Sequence, residues 1–483
     1  MSNEVTSVAE PGPTLIAATR TDGLGGRLLA MANAKSLADS LGYRFGFTWN
    51  RRAVADESFH IIDLADRIFS ADFIERHWLG EDIRRVEFGV LDAAALAAGN
   101  SLGEIAKERK LRGFTCNDFA ILRDTALPVR VTETLRGFDY SPAVKQAIAA
   151  ADSSRFTRPM AALHLRSGDI VHGKYRTKLV FAGKVIPSTL ARAIVAELSS
   201  MGLGTLLIGQ HRATLDYLKA ETGAMLTSDF DADAFEDETP RTFFEMALMA
   251  RCQRIYAGSS VYAEIASLMG DIPFMPATAL FDASRAAGII LDELSARQVD
   301  YDPREAAFGY QAAFLAVEGK AAPGDARAIL DKAYALDPEN DAYAVKIAAA
   351  YFRERDFASG EAVLKSLMTR QFRDRPRIPL RVMGLLGDIV GDRYPMAKDF
   401  ELFFTAAEAG CPYAAACSAW ILQQTTTDRK RSQAMADLAV RASPSDPILR
   451  KVRRRILQGK KPRSGLLAKA RWRLAGLRAL AST

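Results

Sequence analysis

Cysteine is scarce in this sequence. The 483-residue chain holds four, Cys116, Cys252, Cys411 and Cys417, and none makes a Cys-x-x-Cys pair. That excludes a disulfide framework and a thiolate zinc cage. It fits a reducing compartment, so a cytoplasmic protein is expected. Long apolar runs are missing too. The longest uncharged stretch, Ala409–Thr427, contains Pro412, Gln423, Gln424 and three threonines, which makes a poor membrane span. The opening residues, MSNEVTSVAEPGP, carry Glu4 and Glu10 and lack an apolar core, so no secretory signal is expected. What remains is ordinary: 49% apolar and 25% charged residues exclude a disordered or fibrous chain.

Acid is absent from the C-terminal stretch. From Arg450 to the end there are twelve Lys and Arg and no Asp or Glu, within a chain of formal net charge +6. The rest holds 52 basic against 58 acidic residues and is mildly acidic. That balance argues against a nucleic-acid enzyme. It places affinity for anionic surfaces in the tail 450–483, which is expected to contact the inner face of a membrane peripherally or to be a solvated basic extension.

Apolar spacing and turn residues divide the remainder. Thr14–Thr19 reads as a strand, Asp22–Gly26 (DGLGG) as a glycine loop, Arg27–Leu41 as a helix stopped by Gly42, and Tyr43–Trp49 as a second strand. From Asp63 to Gln146 the pattern is mostly helical, with a strand near Val86–Val90. A second alternating run follows Pro159. Its strands are Met160–Arg166, Gly204–Gly209, Ala224–Thr227, Arg254–Ala257 and Ile272–Met275, and its helices are Ile186–Met201, Ala213–Glu221, Thr242–Cys252 and Val261–Met269. Alternation of this kind implies parallel sheets. Beyond about residue 300 the strands stop. Ala326 and Gly360 stand 34 residues apart, the period of a tetratricopeptide repeat, with Ala348 and Tyr351 at its small and aromatic positions. The expected fold class is α/β: a pair of Rossmann-like domains, 1–150 and 151–302, then an all-α helical-repeat domain, 303–449, and the tail. The helical domain lacks clustered reactive residues. It is expected to bind a protein partner or the acceptor and to take no part in donor chemistry.

Three features carry chemistry. His164-Leu165-Arg166-Ser167-Gly168-Asp169 sits where a strand ends, with His164 and Arg166 on one face. Ligands bind at the carboxyl ends of strands in open α/β sheets, and Arg166 presents a planar fork of donors suited to a phosphate. A structural Arg–Asp pair would use the same residues. The DGLGG loop opens a helix, where backbone N–H groups attract an anion, or it is a tight turn only. It fails the dinucleotide fingerprint, because Leu28 stands at the third glycine and Trp49-Asn50 end the second strand without an acid. Ser259 and Ser260 precede the helix Val261–Met269 and either cap it or hold a diphosphate. Asp229, Asp231 and Asp233 imitate a metal loop. Ala234 and Pro240 occupy the glycine and glutamate positions of a calcium loop, so an acidic surface loop is expected there instead.

Together these motifs resemble the GDP-fucose-type fucosyltransferases, chiefly the nodulation-type and core α1,6 enzymes. TDGLGGRLLAMANAKSLADSLGYRFGFTW is similar to their G-x-G-N-R-L loop and helix, HLRSGD to their H-x-R-x-G-D motif, and FFEMALMARCQRIYAGSSVYAEIASLMG to their last donor motif. The resemblance spans Thr14–Met275 and implies a GT-B, inverting, metal-independent glycosyltransferase. Its donor would be GDP-fucose and its acceptor a glycan, lipid-linked or protein hydroxyl. It implies that Arg166 grips the β-phosphate, His164 lies beside the ribose and base, and Glu245 reads the guanine edge. Ser259 and Ser260 would hold the diphosphate, and Gly23, Gly25, Gly26 and Arg27 would form the N-terminal loop. Gly26 replaces the family asparagine, Ile208-Gly209-Gln210-His211 replaces an acidic stretch, and Lys174 replaces the glutamate proposed as base. That leaves the base unassigned; Asp169 and His172 are candidate bases for the acceptor hydroxyl, or else a partner of a nearby Arg or backbone group and a loop residue. Two other readings use the same residues: a GT-B enzyme for another nucleotide sugar, and a repeat scaffold with an inactive α/β part.

Overall fold

The computed structural model describes residues 14–51, 62–91, 102–117, 130–387, 395–426 and 428–459. In chain order the α/β part contains β1 (Leu15–Ala18), α1 (Leu24–Leu41), β2 (Arg44–Phe47), α2 (Ala65–Ile68), α3 (Ala71–His77), β3 (Phe88–Val90), α4 (Leu102–Glu108), β4 (Gly113–Thr115), α5 (Val131–Arg136) and α6 (Pro142–Ser153). It continues with β5 (Met160–Leu165), α7 (Gly168–Val171), α8 (Ser188–Ser200), β6 (Gly204–Gly209), α9 (Arg212–Thr222), β7 (Met225–Leu226), α10 (Glu238–Ala250), β8 (Arg254–Ala257), α11 (Val261–Gly270) and β9 (Phe274–Met275). Every expected strand is present within a few residues. β4 was not anticipated, because three residues are too few to show a period of two. Gly42 stops α1 as expected, at φ 66°, where a Cβ would be strained.

Both sheets are parallel. The first has the order β2-β1-β4-β3 and the second β7-β6-β5-β8-β9. The second order is that of a Rossmann half: the chain starts in the middle at β5, builds outward to β7, returns to the middle at β8 and builds the other way. β5 and β8 are hydrogen-bonded neighbours, with His164 opposite Ala257. One apolar core joins α1, α6, α10 and α11 to both sheets.

The helical part contains α12 (Ala283–Arg297), α13 (Pro303–Val317), α14 (Pro323–Leu336), α15 (Asp341–Arg353), α16 (Phe357–Asp374), α17 (Arg381–Gly387), α18 (Phe400–Glu408), α19 (Pro412–Thr425), α20 (Arg429–Ala442) and α21 (Pro447–Leu457). The α/β class with a following all-helical region is thus the observed one. The compact units, however, are not divided at 150 and 302. One comprises Met1–Arg166 with Ile194–Ala277 and holds both sheets. The other comprises Ser167–Ala193 with Thr278–Thr483, so the segment that leaves β5 packs with the helices. Periodicity identifies elements but is blind to the body a crossover packs against.

The expected tail also begins too early. Ile448, Leu449, Val452 and Ile456 recur at helical spacing and are buried, so residues 450–457 finish α21 and close the helical core. Arg450, Arg454 and Arg455 remain on its exposed side. The rest of the tail, 460–483, lies outside the described residues. The acidic run 229–237 is dispersed rather than clustered: Asp229 pairs with Lys219, Asp233 with Arg241 and Asp237 with Arg67.

Charge is buried inside the helical unit. Lys346 of α15 is 1% exposed and donates to Glu318 Oε1 (2.5 Å) and Asp399 Oδ2 (2.7 Å). Arg353, two turns further along the same helix, donates to Asp399 Oδ1 at 2.8 Å. Burial pushes the Asp399 carboxyl above its usual range, which Lys346 opposes. Removing Lys346 takes the buried cation from between Glu318 and Asp399 and leaves both carboxylates to Arg353, which lies at 3.7 and 2.8 Å and is partly exposed. Lys346→Met is expected to destabilise the chain by about 3–5 kcal/mol. Urea unfolding checks this, and a loss below about 1 kcal/mol would show the cluster to be solvated.

Candidate active site

The carboxyl ends of β5 and β8 lie side by side at the point where the second sheet reverses its winding. In a doubly wound sheet this point opens a crevice, because the helices following the two strands lie on opposite faces. Arg166 stands at the end of β5, and Gly258-Ser259-Ser260 at the end of β8. The pairing thus brings together two of the three motifs, which are separated by about ninety residues of chain.

Ser260 occupies the N-cap position of α11, yet its side chain makes no capping bond. Its hydroxyl is 1% exposed as a residue and has no hydrogen-bond partner. Such a group costs about 1–3 kcal/mol when left unmet, so the simple capping role does not account for it. His164 is similar. It is buried, and its Nδ1 has no partner. Burial first, and then the neighbouring Arg166 cation, lower its pKa to about 3, so the imidazole is neutral.

Tyr262, in the first turn of α11, joins these residues to the rest of the site, and sequence reasoning missed it. Its ring lies 5.5 Å from the His164 ring, inclined by 38°. Its hydroxyl donates to the Thr242 carbonyl at 3.2 Å and lies by the Glu245 carboxylate. Burial and that carboxylate raise the phenol pKa well above its usual value. Glu245 Oε1 accepts from Thr227 Oγ1 at 3.0 Å and has Arg241 at 3.7 Å. Burial raises its pKa, and these donors oppose the rise. Tyr262 was overlooked because an aromatic inside VYAEIASLMG reads as one more core contact.

The third motif meets the other two through backbone. A Cβ on Gly25 would lie 2.9 Å from the Tyr262 nitrogen and 3.0 Å from the Val261 carbonyl carbon, so α1 approaches the start of α11 as only glycine permits. Gly25 and Gly26 are helical residues of α1, not loop residues, and Gly23 is the N-cap. A Cβ on Gly26 would fall 2.7 Å from the Asp22 carboxylate oxygens, which Arg20 neutralises. The space beside Gly26 therefore holds a carboxylate of the chain itself. Arg27 is 2% exposed, and its fork donates to the carbonyls of Asp22 (2.8 Å), Asn50 (2.8 Å) and Thr21 (3.1 Å) beneath Trp49. It braces the loop after β1. Asn117 braces the same loop, accepting from the Thr19 amide at 2.8 Å and donating to the Thr19 hydroxyl at 2.7 Å.

Asp169 and His172 belong to the other unit. Asp169 is buried, in the single turn α7. His172 Nε2 lies 3.1 Å from Glu305 Oε1, and its Nδ1 is 3.9 Å from Asp302. The structure thus brings Gly25, His164, Glu245 and Ser260 together around Tyr262 in one unit, and fixes His172 on the helices in the other.

The neutral His164 makes a pH prediction. Its native pKa lies below the unfolded value of about 6.5, so the unfolded chain binds the proton first as pH falls. Its contribution is complete above pH 6.5 and is lost towards pH 3, at about 1.4 kcal/mol per pH unit. NMR of the imidazole should show no His164 titration between pH 5 and 8. A midpoint near 6.5 would refute its burial.

No family model and no curated protein matches this chain. Solved structures do. POFUT1 in complex with GDP matches at 10% identity and TM-score 0.32, covering 55% of this chain and 98% of that one. The fucosyltransferase NodZ from Bradyrhizobium matches at 12% identity and TM-score 0.34, covering 55% and 96%. The NodZ α-1,6-fucosyltransferase soaked with GDP-fucose matches at 14% identity and TM-score 0.29, covering 53% and 92%. Likeness at this level assigns neither residue roles nor chemistry.

Proposed function

We propose that the chain is a nucleotide-sugar glycosyltransferase that moves fucose from GDP-fucose to a hydroxyl of a glycan acceptor, with inversion. The observation that carries this reading is the pair of buried, unpartnered polar atoms, Ser260 Oγ and His164 Nδ1, at the ends of the adjacent strands β8 and β5. They are polar groups awaiting a polar ligand, beside Arg166 and a helix N-terminus that favour an anion. As the glycosidic bond to the nucleotide breaks, negative charge grows on the leaving diphosphate. Arg166 and the amides opening α11 stabilise that charge, and Ser259 and Ser260 donate to its oxygens. Glu245 accepts from the guanine edge. Asp169, three residues beyond Arg166, takes the acceptor proton; His172 is the second candidate base. The reading requires no metal, because these groups carry the charge.

GDP is expected to bind more tightly than UDP or ADP, and EDTA to leave the binding in place. A calorimetric titration showing tight UDP binding and none of GDP would replace the donor with another nucleotide sugar. No nucleotide binding at all would favour the inactive scaffold. Arg166→Ala is expected to lower kcat/KM by about 10²–10³, or roughly 3–4 kcal/mol, and Arg166→Lys to recover part of it, since the fork is lost. Near-normal kinetics in a folded Arg166→Ala protein would remove Arg166 from the site.

The seven basic residues of 460–483, with the exposed arginines of α21 beside them, attach the enzyme to the anionic inner face of a membrane. Each charge contributes about 1 kcal/mol near such a surface. Truncation after Gly459, which spares α21 and its arginines, should sharply weaken sedimentation with anionic liposomes at low salt. Equal binding to neutral vesicles, or no loss on truncation, would eliminate the electrostatic attachment.

A further inference from the structure

The segment that leaves β5 does not fold on its own resources. Ser167–Lys184 contains only the single turn α7 and a short 3-10 stretch, Leu179–Lys184. Its order comes from the helices of its own unit. Ile170, Val171 and Val185 bury against Phe308 of α13. Arg176 donates to Glu339 at 2.9 Å and lies 3.6 Å from Asp337, and Asn340 donates back to the Arg176 carbonyl at 3.3 Å. Leu179 enters the core of the helical region.

The centre of this attachment is one carboxylate. Glu305, in the first turn of α13, is 3% exposed. Oε1 meets His172 Nε2 at 3.1 Å, and Oε2 accepts from the Ser188 hydroxyl at 2.7 Å. Both carboxylate oxygens are thus engaged, one by the His172 ring and the other by the Ser188 hydroxyl. Arg304, the preceding residue, donates to the His172 carbonyl at 3.3 Å. One turn further along α13, a Cβ on Gly309 would lie 2.6 Å from Thr189 Oγ1, so helix and segment are in close contact there as well. Glu305 therefore bridges His172, near the start of the segment, to Ser188, where α8 begins and the segment ends.

We propose that Glu305 is a positioning residue of the transferase: by holding His172 and Ser188 with its two oxygens, it makes the helical region set the geometry of the segment that follows Arg166. This inference rests on the glycosyltransferase reading for its kinetic consequence and on the segment's own contacts for its structural one.

The two consequences are separable in the full-length protein. Hydrogen–deuterium exchange is compared for wild type, Glu305→Ala, Glu305→Gln and Ser188→Ala. In Glu305→Ala, peptides covering 167–187 are expected to exchange faster by about tenfold or more, while those of β5, β6 and α10 are unchanged. Glu305→Gln should restore most of the protection, because its amide offers one polar atom to His172 and one to Ser188. Ser188→Ala, which removes one of the two bonds, should fall between them and serves if Glu305→Ala does not fold. Steady-state GDP-fucose hydrolysis, a reaction needing no acceptor, should show Glu305→Ala losing about tenfold in kcat with KM within about twofold. Unchanged exchange at 167–187, or loss of protection throughout the helical unit alike, would overturn the positioning role. So would a local loosening that leaves kcat intact. If wild type binds and hydrolyses no GDP-fucose, the donor assignment falls, and the exchange arm still decides whether Glu305 holds the segment.

Discussion

The parallel pairing of β5 with β8 is the constraint on which the proposed chemistry depends. It places two strand ends, separated by about ninety residues of chain, in adjacent positions. Arg166 and the Ser259-Ser260 pair meet for that reason alone. The backbone approach of Gly25 to α11 adds the third motif. A methyl group at that position would push α1 away from Tyr262, and with it the loop that Arg27, Asn117 and the Arg20–Asp22 pair hold in place.

Polar groups in this unit divide into two kinds. Many are met within the chain: the Arg27 fork reaches three carbonyls, and Asn117 pairs with both the amide and the hydroxyl of Thr19. A few are buried and unmet, among them Ser260 Oγ and His164 Nδ1. Folding alone gives no reason to bury a hydroxyl without a partner at a cost of about 1–3 kcal/mol. A bound diphosphate and ribose would supply one. The N-terminal glycines serve close packing: Gly25 lets α1 approach the start of α11, and Gly26 leaves room for the Asp22 carboxylate.

Much of the fold was legible in the sequence because it depends on short-range signals. Met160–Leu165 and Gly204–Gly209 are continuous apolar runs between turn residues, and α11 is a clear helical stretch after Gly-Ser-Ser. β4 was not legible, since a three-residue strand leaves no periodicity. The division into units was not legible either. Nothing local in Ser167–Ala193 reveals that Arg176 pairs with Glu339 or that His172 meets Glu305, more than one hundred and thirty residues away. The basic tail misled for a different reason: its charges hide the stripe Ile448, Val452, Ile456, which makes residues 447–457 a core helix. The strand-end position of Arg166 and the helix-start position of Ser259 and Ser260 were legible from the apolar runs around them. Tyr262, whose role comes from where its ring and hydroxyl point, was not.

The central claim is that a nucleoside diphosphate completes the ends of β5 and β8. A crystal structure of the full chain soaked with GDP tests it most directly. The account predicts diphosphate oxygens within hydrogen-bond distance of Ser260 Oγ and the Arg166 guanidinium, with His164 Nδ1 accepting from the nucleoside. GDP seated elsewhere, with Ser260 Oγ and His164 Nδ1 still unpartnered, would contradict it.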